Sequence, residues 1–200
     1  MKIIGLTGPS GAGKSSCAAY WQANGLPAID ADRVYHSLIS KTSPCTAELA
    51  SAFGNSVLNS DGSINRKALA AIAFASEEST ALLNDITHKF VKEQTKTLLT
   101  QYEKAGYRAV LVDAPLLFEA SFDALCDFCI SILAPRSSRI ERIIKRDGLT
   151  QEAAEQRLNA QKCDEYYIAR SRYVIINDKS TEDMLRTFSE ILEKENLKLT

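Results

Sequence analysis

The chain has almost no net charge. Lys+Arg 24 against Asp+Glu 25 leaves −1 over 200 residues. That argues against a protein that holds nucleic acid through a general basic field, and leaves only local basic clusters. Long apolar runs are missing too. None approaches the ~20 residues that a membrane span needs. The apolar start Met1-Lys2-Ile3-Ile4-Gly5-Leu6 breaks at Thr7-Gly8, too early for the core of a secretory signal. Cysteines at regular, paired spacing are absent. The five are Cys17, Cys45, Cys126, Cys129 and Cys163. An odd number without a secretory segment reads as free thiols in a reducing cytoplasm. Cys126 and Cys129 form a C-x-x-C at the edge of an apolar run that reads as a strand. Residues three apart on a strand point to opposite faces, and no second pair completes a zinc site. Packing is therefore favoured over metal or redox chemistry. Repeats and low-complexity segments are also lacking, so neither a solenoid nor a disordered linker is expected.

What is present is ordinary globular composition, 45% hydrophobic and 24% charged. The length suits one domain, or one domain with an insert, with a real core. Short β-branched runs at Lys2–Thr7, Pro27–Asp30, Ala109–Asp113, Phe128–Leu133 and Tyr173–Ile176 are bounded by Gly, Pro, Asp or Asn. Helical patterns separate them, which predicts an α/β fold with a parallel sheet covered on both faces. From Val34 to about Tyr107 no strand pattern occurs. Leu49, Ala50 and Phe53, then Leu69, Ile72 and Ala73, then Leu82, Leu83 and Ile86 recur at helical spacing. This predicts a helical insert between the second and third strands. Ser180-Thr181-Glu182-Asp183 reads as the capped start of a last helix that buries Met184, Leu185, Phe188, Ile191 and Leu192.

Gly8-Pro9-Ser10-Gly11-Ala12-Gly13-Lys14-Ser15 fits G-x-x-x-x-G-K-[ST] at every fixed position. Such a loop turns its backbone N–H groups toward a polyphosphate, and its glycines keep side chains out of the way. The helix that follows presents its positive end. Lys14 reaches the β and γ phosphates, and the Ser15 hydroxyl ligates Mg²⁺. A strand before and a helix after the motif support it. The motif gives nucleotide binding, not a reaction. A kinase, a GTP switch and a motor ATPase compete. Asn177-Asp178-Lys179 does not fit the N-K-x-D of a guanine site, and a motor usually needs more chain. A kinase of small acceptors suits a short chain with a helical insert. A regulator that only hydrolyses nucleotide slowly, or a nucleoside or nucleoside-monophosphate kinase, would share the loop.

Further motifs resemble one family, dephospho-coenzyme A kinase. Ile29-Asp30-Ala31-Asp32 is similar to its I-D-A-D. Phe53-Gly54, Asp61-Gly62, Ile64, Asn65, Arg66, Leu69 and Phe74 resemble its F-G … D-G-x-I-[DN]-R-x-x-L … F. Leu83-Asn84-Asp85-Ile86-Thr87-His88 resembles L-N-x-I-x-H, with Lys89 where the family usually has proline. Asp113-Ala114-Pro115-Leu116-Leu117-Phe118-Glu119 resembles its P-L-L-F-E segment. Arg142, Arg146, Asp147, Gly148 and Leu149 fall on R-x-x-x-R-D-G-L, and Ala160-Gln161 on its A-Q. The order and spacing of these pieces together are specific. The resemblance implies transfer of the γ-phosphoryl of ATP to the ribose 3′-hydroxyl of dephospho-coenzyme A. It implies a P-loop kinase with a five-stranded parallel sheet, a helical acceptor domain and a lid.

The expected division is a nucleotide-binding core at 1–33, 108–135 and 172–200, an acceptor-binding domain at 34–107 and a lid at 136–171. Gly11, Ala12, Gly13, Lys14, Ser15 and Ser16 are expected to cradle ATP. Asp32, just past the second strand, is expected to orient the acceptor hydroxyl or take its proton. Its structural alternative is a helix N-cap. Asp30 is either a polar strand end or part of the site. Asp113 either faces Mg²⁺ through water or closes its strand with a hydrogen bond. Pro115, Leu116, Leu117 and Phe118 read equally as a wall of the acceptor pocket or as core. His88 reads as a helix histidine that touches substrate rather than a proton donor. Asn177 and Asp178 stand where a base-binding loop could sit. On the helix from Arg136 to Lys145, Arg139, Arg142 and Arg146 share a stripe. Arg142 and Arg146 match the family and are expected over ATP. Arg139 does not, and is expected at the surface.

Overall fold

The apolar runs form strands where the pattern places them. In the computed structural model, which describes residues 1–197, β1 (Lys2–Thr7), β2 (Ala28–Asp30), β3 (Ala109–Asp113), β4 (Phe128–Leu133) and β5 (Tyr173–Ile176) make one sheet. Its order is β2-β3-β1-β4-β5. β1 lies parallel to β3 and β4, with Ile4 opposite Leu111 and Phe128, and β4 lies parallel to β5. All of β4 is buried. Burial on both faces is why this strand does not alternate and is apolar apart from Ser131, whose hydroxyl pairs with Ser171 Oγ at 2.6 Å.

The first helix, α1 (Lys14–Ala23), leaves the end of β1 through the Gly8–Gly13 loop. The chain then runs through α2 (Ala31–Ile39), α3 (Pro44–Phe53), α4 (Arg66–Ala73) and α5 (Glu77–Lys104) before β3. After β4 come α6 (Arg136–Asp147), α7 (Gln151–Asn159) and α8 (Asp164–Ile168), and α9 (Thr181–Lys194) follows β5. The chain divides into two compact units, Met1–Ile29 with Tyr102–Thr200, and Asp30–Gln101. Residues 198–200, which the sequence assigns to the nucleotide-binding core, lie outside the described residues.

In the first unit α1 and α9 pack on the sheet. Trp21 and Phe188 are fully buried in one cluster with Ile4, Leu6, Ile130 and Ile132. Trp21 Nε1 donates to the Pro27 carbonyl at 2.8 Å, which fixes the approach to β2. Ser180 caps α9 by accepting from the Asp183 N–H. Ile143, Ala154 and Leu158 give α6 and α7 a small core of their own. The second unit surrounds a separate core that includes Cys45, Leu49, Leu69, Leu83 and Ile86. Its one β pairing among the described residues outside the named strands is an isolated bridge, Leu58 to Ile64. α5 runs unbroken for 28 residues. Lys89 sits inside it and pairs with Glu48 at 2.8 Å, so the helix has no exit at His88.

The C-x-x-C thiols differ from expectation. Cys126 precedes β4 and closes a short 3₁₀ turn at Asp123–Leu125, so strand alternation does not apply to it. Both sulfurs converge on Gly5. A Cβ there would lie 3.0 Å from Cys129 Sγ and 3.1 Å from Cys126 Sγ. The hydrogen bond with Cys129, together with burial, pushes the Cys126 thiol above its ordinary range. Both remain free thiols. Among the described residues no cluster of three or more His, Cys, Asp or Glu could hold a metal.

Backbone crowding fixes the start of the phosphate loop. Gly8 has φ +138, and a Cβ on it would stand 2.1 Å from the Ile132 carbonyl oxygen in central β4. Gly25 also has positive φ, at +75, with nothing within 4 Å. Gly8→Ala should therefore lose more than about 4 kcal/mol in urea unfolding, whereas Gly25→Ala loses about 1–2 kcal/mol. Equal losses would show that the close approach to β4 does not matter.

Candidate active site

The site in the first unit is made where β1 ends and α1 begins. Gly13 caps α1 with left-handed backbone and no side-chain hydrogen bond, and the first turn holds no acidic residue. A helix start leaves N–H groups without intrahelical partners and carries positive potential. This start has no built-in anion, which suits a phosphate supplied from outside. Lys14 Nζ stands 3.7 Å from Asp113 Oδ1, at the end of β3, and both side chains are largely buried. Burial and the charge of Asp113 push the neighbouring Cys17 thiol up to about 12, so it stays neutral.

The loop is held from its outer side. Three successive carbonyls accept from side chains. Arg139 Nε donates to Ser10 O at 3.3 Å, Arg142 Nη1 to Gly11 O at 3.1 Å, and Asn177 Nδ2 to Ala12 O at 2.8 Å. Gln161 accepts from the Ser10 N–H at 3.0 Å. In a trans peptide the carbonyl of one residue and the N–H of the next point in opposite directions. Tying the Ser10 and Ala12 carbonyls outward thus turns the Gly11 and Gly13 N–H groups toward the loop interior. The Ala12 N–H bonds instead to Pro9 O at 3.2 Å.

Arg139 corrects the surface assignment. Its side chain is 8% exposed, and it also reaches Asp164 at 3.3 Å and Gln161 at 3.4 Å. The reason lies in helix geometry. Arg139 is four residues before Ile143, hence only about 40° from it around the axis, and Ile143 is the fully buried residue of α6. The signal was in the wheel, where the arginine stripe borders the apolar one. Arg146 is exposed. It holds Asp147 through Nε and Nη2 at 2.7 and 2.8 Å and reaches Ser10 Oγ at 3.4 Å. Asp147 also takes Arg157 at 2.7 Å.

Other residues separate by unit. The second unit carries Asp32 and His88. Asp30, not Asp32, caps α2 by accepting from the Arg33 N–H at 3.0 Å. Asp32 is left exposed on the first turn, with its carboxylate not used as the cap. His88 is half-buried on α5, and burial lowers its pKa against the opposing charge of Asp85. In the first unit, Leu117 has no exposed surface. Its Cδ2 would lie 2.8 Å from a Cβ on Gly5, so it is core and forms no pocket wall. Leu116 is exposed. Phe118 is half-buried against Tyr166, ring centroids 6.1 Å apart, and the Pro115 carbonyl accepts from Thr7 Oγ1 at 3.2 Å. Asn177 is buried behind the loop, whereas Asp178 is exposed.

Comparison with known proteins gives these features a family. A family profile for dephospho-CoA kinase matches residues 2–183. A dephospho-CoA kinase of Corynebacterium efficiens is 37% identical over 198 residues, covering 97% of this chain and 99% of that protein. The structure of a dephospho-CoA kinase from Campylobacter jejuni superposes with a TM-score of 0.72 at 26% identity, covering 98% of each chain. A shikimate kinase from Acinetobacter baumannii, 17% identical with a TM-score of 0.59 over 99% of this chain and 96% of its own, shares the fold alone. The chain therefore belongs to the dephospho-CoA kinase family, P-loop kinases that phosphorylate dephospho-CoA with ATP as phosphate donor in the final step of coenzyme A biosynthesis.

Proposed function

We propose how this chain divides the reaction among its residues. The Gly11, Gly13, Lys14 and Ser15 amides and the Lys14 ammonium take the β- and γ-phosphates of ATP, while the Ala12 and Ser16 N–H groups bond to the Pro9 and Gly13 carbonyls. The observation that carries this reading is the uncapped start of α1 below a loop whose carbonyls are tied outward. The Ser15 hydroxyl and the Asp113 carboxylate would hold Mg²⁺, whose charge compensates the phosphates. Two oxygen donors and no nitrogen or sulfur suit that ion, which usually keeps its remaining positions for phosphate and water. Asp32 orients the ribose 3′-hydroxyl and takes its proton, an effect typically of ~10²–10⁴-fold. Its free carboxylate supports the role, because Asp30 already caps the helix. His88, Pro115, Leu116 and Phe118 contact the acceptor. Residues 1–33, 108–135 and 172–200 form the nucleotide-binding core, 34–107 the acceptor domain and 136–171 the lid. Arg142 and Arg146 close over ATP and stabilise charge on the transferring phosphoryl. No described helix is long and apolar enough to cross a membrane, and the expected compartment is the cytoplasm.

The assignment is checked by ADP release coupled to a reporter, with dephospho-CoA, nucleosides, nucleoside monophosphates or no acceptor. Dephospho-CoA should drive release far above the others. In the same assay Asp32→Asn should slow single-turnover transfer about 100-fold or more while ATP affinity, read by calorimetry, stays within twofold. A fall in affinity with an unchanged rate would make Asp32 structural.

Arginine-to-lysine exchanges separate the three stripe positions. Arg139→Lys keeps a charge but gives up the planar fork that reaches Ser10, Gln161 and Asp164. It should cost about 2 kcal/mol of stability and raise the KM for ATP. Arg142→Lys and Arg146→Lys should lower kcat at least about tenfold, with melting nearly unchanged. Identical behaviour of all three variants would reduce the stripe to a general basic surface.

A further inference from the structure

The C-x-x-C pair has no role in the proposed reaction, yet the fold brings its two sulfurs together. Cys129 is the second residue of β4, and Cys126 lies just before that strand, at the end of the 3₁₀ turn Asp123–Leu125. On an extended strand two residues three apart have Cα atoms ~10 Å from each other, beyond the ~7 Å that a disulfide spans. The turn removes that obstacle. Leu117 Cδ2, Cys129 Sγ and Cys126 Sγ all crowd the one spot that a side chain on Gly5 would fill, at 2.8, 3.0 and 3.1 Å from it. Cys126 is half-buried and so open to small solutes, and Cys129 is buried beside it.

The two thiols are not equivalent. Cys126 Sγ faces two acceptors, the Phe122 carbonyl at 3.4 Å and Cys129 Sγ. Its hydrogen bond to Cys129 favours the Cys129 thiolate and lowers that pKa, against burial and the charge of Asp123. The same bond holds the proton on Cys126. A thiolate beside a protonated thiol is the arrangement in which one sulfur attacks an oxidant and the other closes the bridge. Two thiols alone do not make a zinc site, and among the described residues no cluster supplies further ligands. The other cysteines differ. Burial pushes the Cys17 and Cys45 thiols up to about 12 and about 11, and Cys163 is exposed.

We propose that Cys126 and Cys129 form a reversible oxidation site, which hydrogen peroxide converts to a disulfide and a dithiol reductant reopens. The Cys129 thiolate attacks one peroxide oxygen, the O–O bond breaks, and the leaving hydroxide takes up the proton that Cys129 gave away. The Cys126 sulfur then attacks the Cys129 sulfenic acid. The S–S bond forms, the S–O bond breaks, and a second water leaves with the Cys126 proton. Two thiols lose two electrons, and the peroxide gains them as two waters. A cytoplasmic pair of this kind is oxidised only transiently, because the thiol pool returns it to the reduced form.

Peptide mapping of the full chain tests the site. Hydrogen peroxide is added to the folded protein and removed with catalase, and free thiols are alkylated after denaturation. Trypsin cuts after Arg108 and Arg136, so one fragment holds Cys126 and Cys129 and no other cysteine. That fragment should escape alkylation and weigh about 2 Da less than its dithiol form, at peroxide levels that leave Cys163 alkylated. Dithiothreitol should restore both alkylation sites. In Cys126→Ser, dimedone should label Cys129, whose sulfenic acid then has no thiol to close on. Melting curves confirm that this variant folds, and the mapping of the unsubstituted chain needs no variant. Alkylation of both cysteines in the fragment while Cys163 is already oxidised would overturn the site. Bridging that occurs only in urea-unfolded protein would overturn it too, by showing that the fold does not bring the sulfurs together. Equal dimedone labelling of Cys126 in Cys129→Ser would overturn Cys129 as the attacking thiol.

Discussion

The outward hydrogen bonds of three loop carbonyls are the constraint on which the first unit depends. Ser10, Gly11 and Ala12 each give their carbonyl to a side chain from a distant part of the chain. A phosphate loop works only if its amides point inward before the ligand arrives, because reorienting peptide planes during the reaction would cost rate. The sheet delivers the loop to the mouth of α1, and Gly8 presses against β4 to fix its entry. The tethers then come from α6 and from the residue just after β5, so that the order of the strands places both beside the loop.

The same bonds link the loop to the segment proposed as the lid. Arg139 and Arg142 lie on α6, and Gln161 and Asp164 lie between α7 and the first residue of α8. Movement of this segment would change the number of bonds that Ser10 and Gly11 make. The loop backbone is thereby linked to α6, with Arg139 and Arg142 holding the Ser10 and Gly11 carbonyls and Arg146 reaching only the Ser10 hydroxyl. A buried arginine is tolerated there because Asp164 and two oxygen acceptors offset its desolvation.

Much of this was legible in the sequence, for physical reasons. Buried parallel strands are continuous apolar runs closed by polar or breaking residues, and Lys2–Thr7, Ala109–Asp113, Phe128–Leu133 and Tyr173–Ile176 stand where the pattern puts them. The phosphate loop was readable because its chemistry is local in sequence. What escaped depends on contacts that sequence spacing does not carry. Asn177 read as a neighbour of the base, yet it braces Ala12, 165 residues away. Arg139 reads as surface because it falls outside the R-x-x-x-R-D match, although it borders Ile143. Cys126 lies outside the strand that Cys129 belongs to, so alternation misjudged their meeting at Gly5. Leu117 turned inward because Gly5 leaves room for it. Asp30 and Asp32 are two residues apart, and only the path of the chain decides which of them caps α2.

The bond from Asn177 to Ala12 offers the most direct test of this account. Asn177→Asp keeps the size of the side chain and sets an acceptor against the Ala12 carbonyl in place of a donor. Calorimetric titration with ATP should show affinity reduced at least about tenfold, equivalent to about 1.4 kcal/mol, and dephospho-CoA binding within twofold of the unsubstituted protein. Unchanged ATP affinity in a folded Asn177→Asp protein would contradict the claim that outward tethers set the geometry of the phosphate loop.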